Sequence, residues 1–497
     1  MTASTSHLTP ADVAPHPRRW AGLAVLAASL LVVVMDMTIL NVALPDLVAD
    51  LRPGAVAQLW IVDAYALVLA GLIVPLTAVA DRWGRRRMLL AGFAVFGVGS
   101  LLVLVAATPG AVIGVRALLG VGGAMVMPAT LSLIRTLFPD PRERALALGV
   151  WAATASVGAA AGPVVGGALL EVFSWHAAFL VNVPLMVVAF VAGRLLLPES
   201  RSERPGRLDL AGVLLSFGGM VALVHGIKDV GKHGPGLVGV ATLVVGAFLL
   251  VIFVRRCLTQ DDPMLAVRLF ADRVFRAGVL TALASSAVMI ALLLVGSQWL
   301  QVVQGWTPLV AGVALVPLAV GGLVGSPFAP AVAARVGTRT VLVGGLLLTA
   351  TGLAVLPLLP RPLPYAGVAA GFLLVGLGTA ALGVGSALIM GRAPAHQAGS
   401  AAAVEESSYE LGAVLGVSLF GSLAGLVYRA GLPDGVPGAV RESVAGSLGS
   451  PVAGAASAAF TDAFAAVGLT GALVVLAAAA VVWRWLPADL DLADLEH

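Results

Sequence analysis

Asp81-Arg82-Trp83-Gly84-Arg85-Arg86-Arg87 sets five charged side chains around a glycine, between two apolar runs at 57–80 and 88–107. Each run is long enough to cross about 30 Å of hydrocarbon as a helix. A short basic turn between two such runs reads as a membrane hairpin whose turn lies at the cytoplasmic face, where arginine and lysine collect. Gly84 permits the bend, the arginines hold it at the surface, and Asp81 can pair with them or cap a helix.

Outward from this hairpin the same alternation runs the length of the chain. Hydropathy places fourteen helices, α1–α14, near 20–45, 57–80, 88–107, 110–137, 145–171, 176–197, 208–228, 235–255, 276–303, 308–333, 338–358, 364–391, 399–428 and 463–486. With 11% charged residues and a mean hydropathy of +1.01 over 497 residues, the chain is far from a soluble domain, where about 25% are charged. No polar stretch is long enough for a sizeable soluble domain. The period-2 alternation of an outer-membrane barrel is missing. The fold class is therefore an all-α membrane protein, a helical bundle.

Charge gives the orientation. With both termini cytoplasmic, inner loops and tails hold 22 of the 29 Lys+Arg. The outer loops hold Arg52, Lys228, Lys232, Arg361, Arg429 and Arg441, and Arg116 is left inside α4. Arg18-Arg19-Trp20 before an apolar run superficially resembles a signal peptide, but Asp36 and Asn41 inside the run and the weak cleavage site favour a retained first helix. The outer connection 429–462, rich in Ala, Gly, Ser and Pro, is compatible with a short helical hairpin or a loose linker. One cysteine, Cys257, excludes an internal disulfide, and no metal-ligand spacing is present. A Walker-type phosphate loop is also missing, which argues against ATP as the energy source. No cofactor, nucleic acid or enzymatic chemistry is expected.

A faint repeat is visible. Asp81-Arg82-Trp83-Gly84-Arg85-Arg86 after α2 is echoed by Ala334-Arg335-Val336-Gly337-Thr338-Arg339 after α10. Two six-helix halves with α7 and α8 inserted between them would give that offset, and parallel repeats mark transporters. The expected units are a tail 1–19, a first bundle 20–200, the inserted pair 201–260, and a second bundle 261–497 with the outer loop and a short cytoplasmic tail.

The Asp81, Arg82, Gly84, Arg85 spacing resembles the loop signature of the major facilitator superfamily, departing from it at Thr77, where that family usually has glycine. In α5, Gly158, Gly162 and Gly166 line one face for close helix contact. Pro163 bends the helix and frees a carbonyl. Together with Gly167, the Gly-Pro-x-x-Gly-Gly run resembles that superfamily's antiporter motif, which exporters carry. Asp36-x-Thr38-x-x-Asn41-Val42-Ala43-Leu44-Pro45 in α1 looks like the motif of its 14-helix drug:proton antiporter branch. Trp175, Phe179, Asn182 and Pro184 around α6 are also similar. Arg116 with Gly120, Gly122 and Gly123 resembles the branch's buried-arginine motif, and a permanent charge there needs a partner, for which Asp36 is the candidate. Val404-Glu405-Glu406-Ser407-Ser408-Tyr409-Glu410-Leu411-Gly412 in α13 resembles the quaternary-ammonium pumps of the same branch. Residues 308–333 lack the acid that some such pumps carry, a departure that bears on divalent cations.

The resemblance implies a monomeric, multi-pass transporter of the bacterial inner membrane that exports lipophilic organic cations against protons. Asp36 and Arg116 would couple protons; Asp63, Trp60, Tyr65, Glu406, Glu410, Tyr409 and Glu405 would meet the cation. The residues support this chemistry independently. A carboxyl taken out of water can hold a proton near neutral pH, and aromatic faces attract cations. Exclusive binding of proton or cation gives exchange. Two other functions fit the same sequence: a dedicated exporter of one antibiotic, suggested by Ala-, Gly- and Arg-rich composition, and a non-transporting sensor or scaffold.

Overall fold

The computed structural model describes residues 17–201, 209–260, 263, 265–393, 398–487 and 490. Most of the expected N-terminal tail, the 202–208 connection and residues 491–497 lie outside them. Fourteen helices are long and apolar enough to span a membrane: α1 Arg19–Leu51, α2 Ala55–Trp83, α3 Arg85–Val105, α4 Pro109–Leu137, α5 Leu146–Leu170, α6 Ala177–Leu196, α7 Leu210–His233, α8 Leu237–Thr259, α9 Arg273–Val303, α10 Pro308–Gly325, α11 Thr338–Leu358, α12 Tyr365–Gly391, α13 Ser400–Ala430 and α14 Ala453–Trp485. Among the described residues there is no strand.

Several boundaries differ from the sequence reading, each for a local reason. α1 continues six residues beyond Pro45. A proline there removes the bond to the carbonyl four residues back, and Ser297 from α9 fills it by donating to Asn41 O at 2.7 Å. α10 ends at Gly325, and a separate helix, Ala329–Val336, follows. Pro327 and Pro330 interrupt the expected single span. α14 begins at Ala453 rather than 463, because alanine favours a helix even where hydropathy is low. The outer connection is accordingly shorter and carries a one-turn helix, Gly438–Glu442, and a tight turn, Val444–Ser447. The Tyr428 hydroxyl ties it down by donating to Val440 O at 2.8 Å.

Burial sorts the helices into centre and rim. In the most apolar window of α9, 83% is buried, against 17% for α8. Leu237, Val238, Val244 and Phe248 of α8 are exposed, the surface a lipid-facing helix presents. α7 and α8 pack closely through glycines; a Cβ at Gly246 would stand 2.8 Å from Gly219 O. Phe217 of α7 lies against Gly71 of α2 and attaches the inserted pair to the first half.

The repeat has a conformational counterpart. Gly84 (φ 124°) and Gly337 (φ 88°) each end one helix and begin the next. Both occupy backbone regions that other residues rarely enter. At Gly84 a Cβ would also meet Glu199 Oε1 at 2.7 Å. Glu199 accepts from the Arg86 amide at 3.1 Å, and Arg85 pairs with Asp81 at 2.9 Å.

With the arginine-rich end set as the inner face, the two halves meet toward the outer face. α1 meets α9 through the Ser297–Asn41 bond and through Gln301 donating to Val42 O at 3.0 Å. α5 meets α10 where Gly167 leaves 2.5 Å between a Cβ and Leu309 Cα, and where Gly312 lies against Pro163 O. α2 meets α13 at Leu59 and Gly421, and deeper at Asp63 and Ser418. At the inner face Arg19–Glu143, Asp81–Arg85 and Asp272–Arg392 each stay within one half.

Candidate functional site

Three groups of acids lie inside the bundle. The first forms as the sequence predicts. Asp36, on α1 and 1% exposed, accepts from the Arg116 guanidinium at 2.6 Å through Oδ2. Its other oxygen accepts from Asn182 Nδ2 at 2.7 Å. Arg116 Nε donates to Ile61 O at 3.2 Å, and its carbon stands 4.6 Å from the Tyr65 ring centre. The buried charge is thus matched by an opposite charge and by hydrogen bonds, which burial of an ion pair requires. The α5 seam lies alongside: a Cβ at Gly162 would collide with Thr38 Oγ1 and approach Met35 O to 2.8 Å. Gly158 and Gly166 face Leu31 and Ile39 of the same helix. The seam therefore presses α5 onto the stretch of α1 that carries Asp36.

Tyr65 was expected beside the cation site. It is fully buried, donates its hydroxyl to Val33 O at 3.2 Å and braces Arg116.

The second group holds a correction. Lys228, expected in an outer loop, is 1% exposed inside α7. Its Nζ lies 2.8 Å from Asp63 Oδ2 and donates to Leu59 O at 3.3 Å. It also stands 3.9 Å from the centre of the half-buried Trp60 ring. Hydropathy ended α7 at this lysine because it scores the charge alone and cannot register a carboxylate supplied from α2. The helix continues through Lys228 to His233. Ser418 of α13 donates to the same Asp63 oxygen at 2.7 Å, while Asp63 Oδ1 is buried with no partner among the described residues. Of this pair only Asp63 was signalled in the sequence, six residues inside the apolar run 57–80; Lys228 stands at the very end of the run 208–228.

The third group lies in the inner half of α13. Glu405 and Glu406 retain partial exposure, while Glu410 is 4% exposed and its Oε2 has no partner among the described residues. The Ser386 and Tyr409 hydroxyls approach Glu405. The Tyr409 carbonyl accepts from Ser286 Oγ at 2.7 Å. A Cβ at Gly412 would meet Leu283 O at 2.5 Å, so α13 sits tightly on α9 here. The three groups therefore give one acid paired with arginine, one paired with lysine, and three glutamates to which no cation is paired in an ion pair among the described residues.

The Major Facilitator Superfamily model matches residues 26–417. The chain is 40% identical over 491 residues to the multidrug efflux pump LfrA of Mycolicibacterium smegmatis, covering 95% of this chain and 97% of that one. It is 36% identical over 442 residues to the methyl viologen resistance protein SmvA of Salmonella typhimurium, covering 88% and 89%. Among solved structures, a bacterial homologue of the human lysosomal transporter Spinster, inward-facing and unoccupied, superposes with a TM-score of 0.66. That match covers 94% of this chain and 97% of the other at 16% identity, a likeness of fold alone.

Proposed function

The chain belongs to the Major Facilitator Superfamily, and from that premise we propose that it is a proton-coupled exporter of lipophilic organic cations. It works by alternating access as a monomer in the bacterial inner membrane, with both termini cytoplasmic. The observation that carries this reading is the placement of buried carboxylates at helix interfaces: Asp36 behind the α5 seam, Asp63 between the two halves, and Glu410 of α13.

Proton uptake at Asp36 removes the charge that holds Arg116 and Asn182, so α1, α4 and α6 loosen together. The α5 glycines keep α1 and α5 in contact, and the change in α1 reaches the outer joint at Asn41, Pro45 and Ser297. Asp63 and Trp60 offer charge and an aromatic face to an organic cation. Glu405, Glu406, Tyr409 and Glu410 form an inner station for it. Because a proton and a cation compete for carboxylates, binding one expels the other. Rocking of the halves exposes the site alternately. The names of the relatives support export, and that of the methyl viologen resistance protein supports a cationic substrate.

The test is proton-driven ethidium movement in everted membrane vesicles. Asp36→Asn is expected to abolish uptake and Asp63→Asn to weaken it severely. If both variants leave uptake unchanged, the assignment is wrong.

A further inference from the structure

We propose that Lys228 is a built-in substitute for the transported cation, occupying the Asp63–Trp60 site when it is empty and giving way when an organic cation binds. The inference rests on the reading of Asp63 as a cation site and adds a specificity-determining residue from the inserted helix α7.

The surroundings of the Lys228 ammonium are those that recognise any cation. A carboxylate oxygen stands at 2.8 Å, a backbone carbonyl at 3.3 Å and an indole face at 3.9 Å. An ammonium in water finds none of these together, and desolvation strengthens the attraction of the ring. A purely structural ion pair would be expected to satisfy both carboxylate oxygens. Here both Lys228 and Ser418 bond to Oδ2, leaving Oδ1 buried and unpartnered. An unmade bond at a buried acceptor is costly, and it is the atom a second ligand would use.

The lysine also has somewhere to go. A cavity of about 70 Å³ on the outer side is lined by Lys228 together with Gln58, Gln298, Ser422 and Glu442. Four methylenes let the ammonium swing without moving α7, an adaptability that the planar fork of arginine lacks. Glu442 offers a carboxylate in that cavity, where it already holds Lys232 at 2.9 Å. The site is neutral while Lys228 holds Asp63; a bound monovalent cation adds one positive charge, which the displaced ammonium meets by sharing Glu442 with Lys232. A cation must outcompete a tethered one, so only those with enough apolar surface or charge gain entry.

The chain has two lysines, Lys228 and Lys232, so amine labelling reads the displacement on the wild-type protein. Purified full-length protein in nanodiscs would be reductively methylated with and without saturating tetraphenylphosphonium, and each lysine quantified by mass spectrometry. Labelling of Lys228 is expected to rise several-fold with the cation, relative to Lys232. In parallel, Lys228→Gln should bind tetraphenylphosphonium about tenfold more tightly, as when a site occupied nine-tenths of the time by a competitor is vacated. If the cation binds, Asp63→Asn abolishes that binding, and Lys228 labelling does not rise, the substitute role is overturned while the Asp63 site stands. If Asp63→Asn binds like the wild type, or the wild type binds nothing, the reading beneath it fails and this inference with it.

Discussion

Two buried acid–base pairs lie among the described residues and are built alike, yet they belong to different mechanical parts. Asp36–Arg116 joins α1 to α4, with Asn182 from α6, all within the first half. Asp63–Lys228 joins α2 to the inserted α7, and Ser418 brings in α13 from the second half. Each cation also takes a neighbouring carbonyl of α2, Ile61 O or Leu59 O, and an aromatic face, Tyr65 or Trp60. If the halves rock, the first pair travels as a unit while the second must be broken and remade. The choice of base matches that difference: a rigid, multidentate guanidinium where geometry is kept, and a single ammonium on a flexible stem where it changes. A pair inside one body can store a proton state, and a pair across bodies can report which way the transporter faces.

The harshest way to break this contrast is Arg116→Ala. It leaves Asp36 charged and buried with Asn182 alone, and should cost about 3–5 kcal/mol, read as a large drop in melting temperature in detergent and loss of efflux. Exchanging the bases sharpens the point. Arg116→Lys forfeits a charged hydrogen bond worth about 1.5–3 kcal/mol, so vesicle uptake should fall by tenfold or more. Lys228→Arg keeps a charge beside Asp63 and should reduce uptake only a few-fold. Equal losses in the two exchanges would remove the distinction between a fixed pair and a moving one.

Ser418→Ala touches only the link between halves. Loss of one buried hydrogen bond to a charged carboxylate, about 1.5–3 kcal/mol, should favour outer opening, seen as faster thiol labelling of a cysteine introduced at Gly421. Unchanged labelling would mean that Ser418 does not help close the outer face.

The smallest effect belongs to a third pair at the inner surface. Asp209 caps α7 and bonds Arg256 at 2.8 Å; that bond holds its carboxyl down to about 2 from an ordinary 3.8. A carboxyl with a lowered folded value contributes stability fully above pH about 4 and loses it as pH falls toward 2. Arg256→Gln should therefore lower the melting temperature only slightly at neutral pH, and the difference from wild type should shrink away as pH falls toward 2. Melting across that pH range checks the sign.

The sequence foretold the first pair and missed the second, for a physical reason. Asp36 stands deep in an apolar run and Arg116 seven residues inside α4, where an unmatched charge is costly; each therefore announced the other. Lys228 stands near a helix end, where a lysine is ordinarily solvated, so hydropathy took it for the start of a loop. Only the packing of α7 against α2 shows that its ammonium is enclosed. Fourteen spans were legible because length and apolar composition suffice to mark them. The break in α10 and the early start of α14 were not, since prolines and alanine-rich polar stretches leave hydropathy ambiguous. Tyr65 meets Arg116 rather than the Asp63 carboxylate because residues two apart point to different sides of a helix: Asp63 faces α7 and α13, while Tyr65 faces α4.

The central claim is that Asp36 couples protons to cation movement, and reconstituted liposomes test it most directly. Purified protein would be given an inside-acid pH gradient with tetraphenylphosphonium outside, followed by cation accumulation and by isotope exchange without a gradient. Wild-type protein should concentrate the cation, whereas Asp36→Asn should exchange it at equilibrium but fail to concentrate it. Concentrative uptake by Asp36→Asn that still follows the pH gradient would contradict the account.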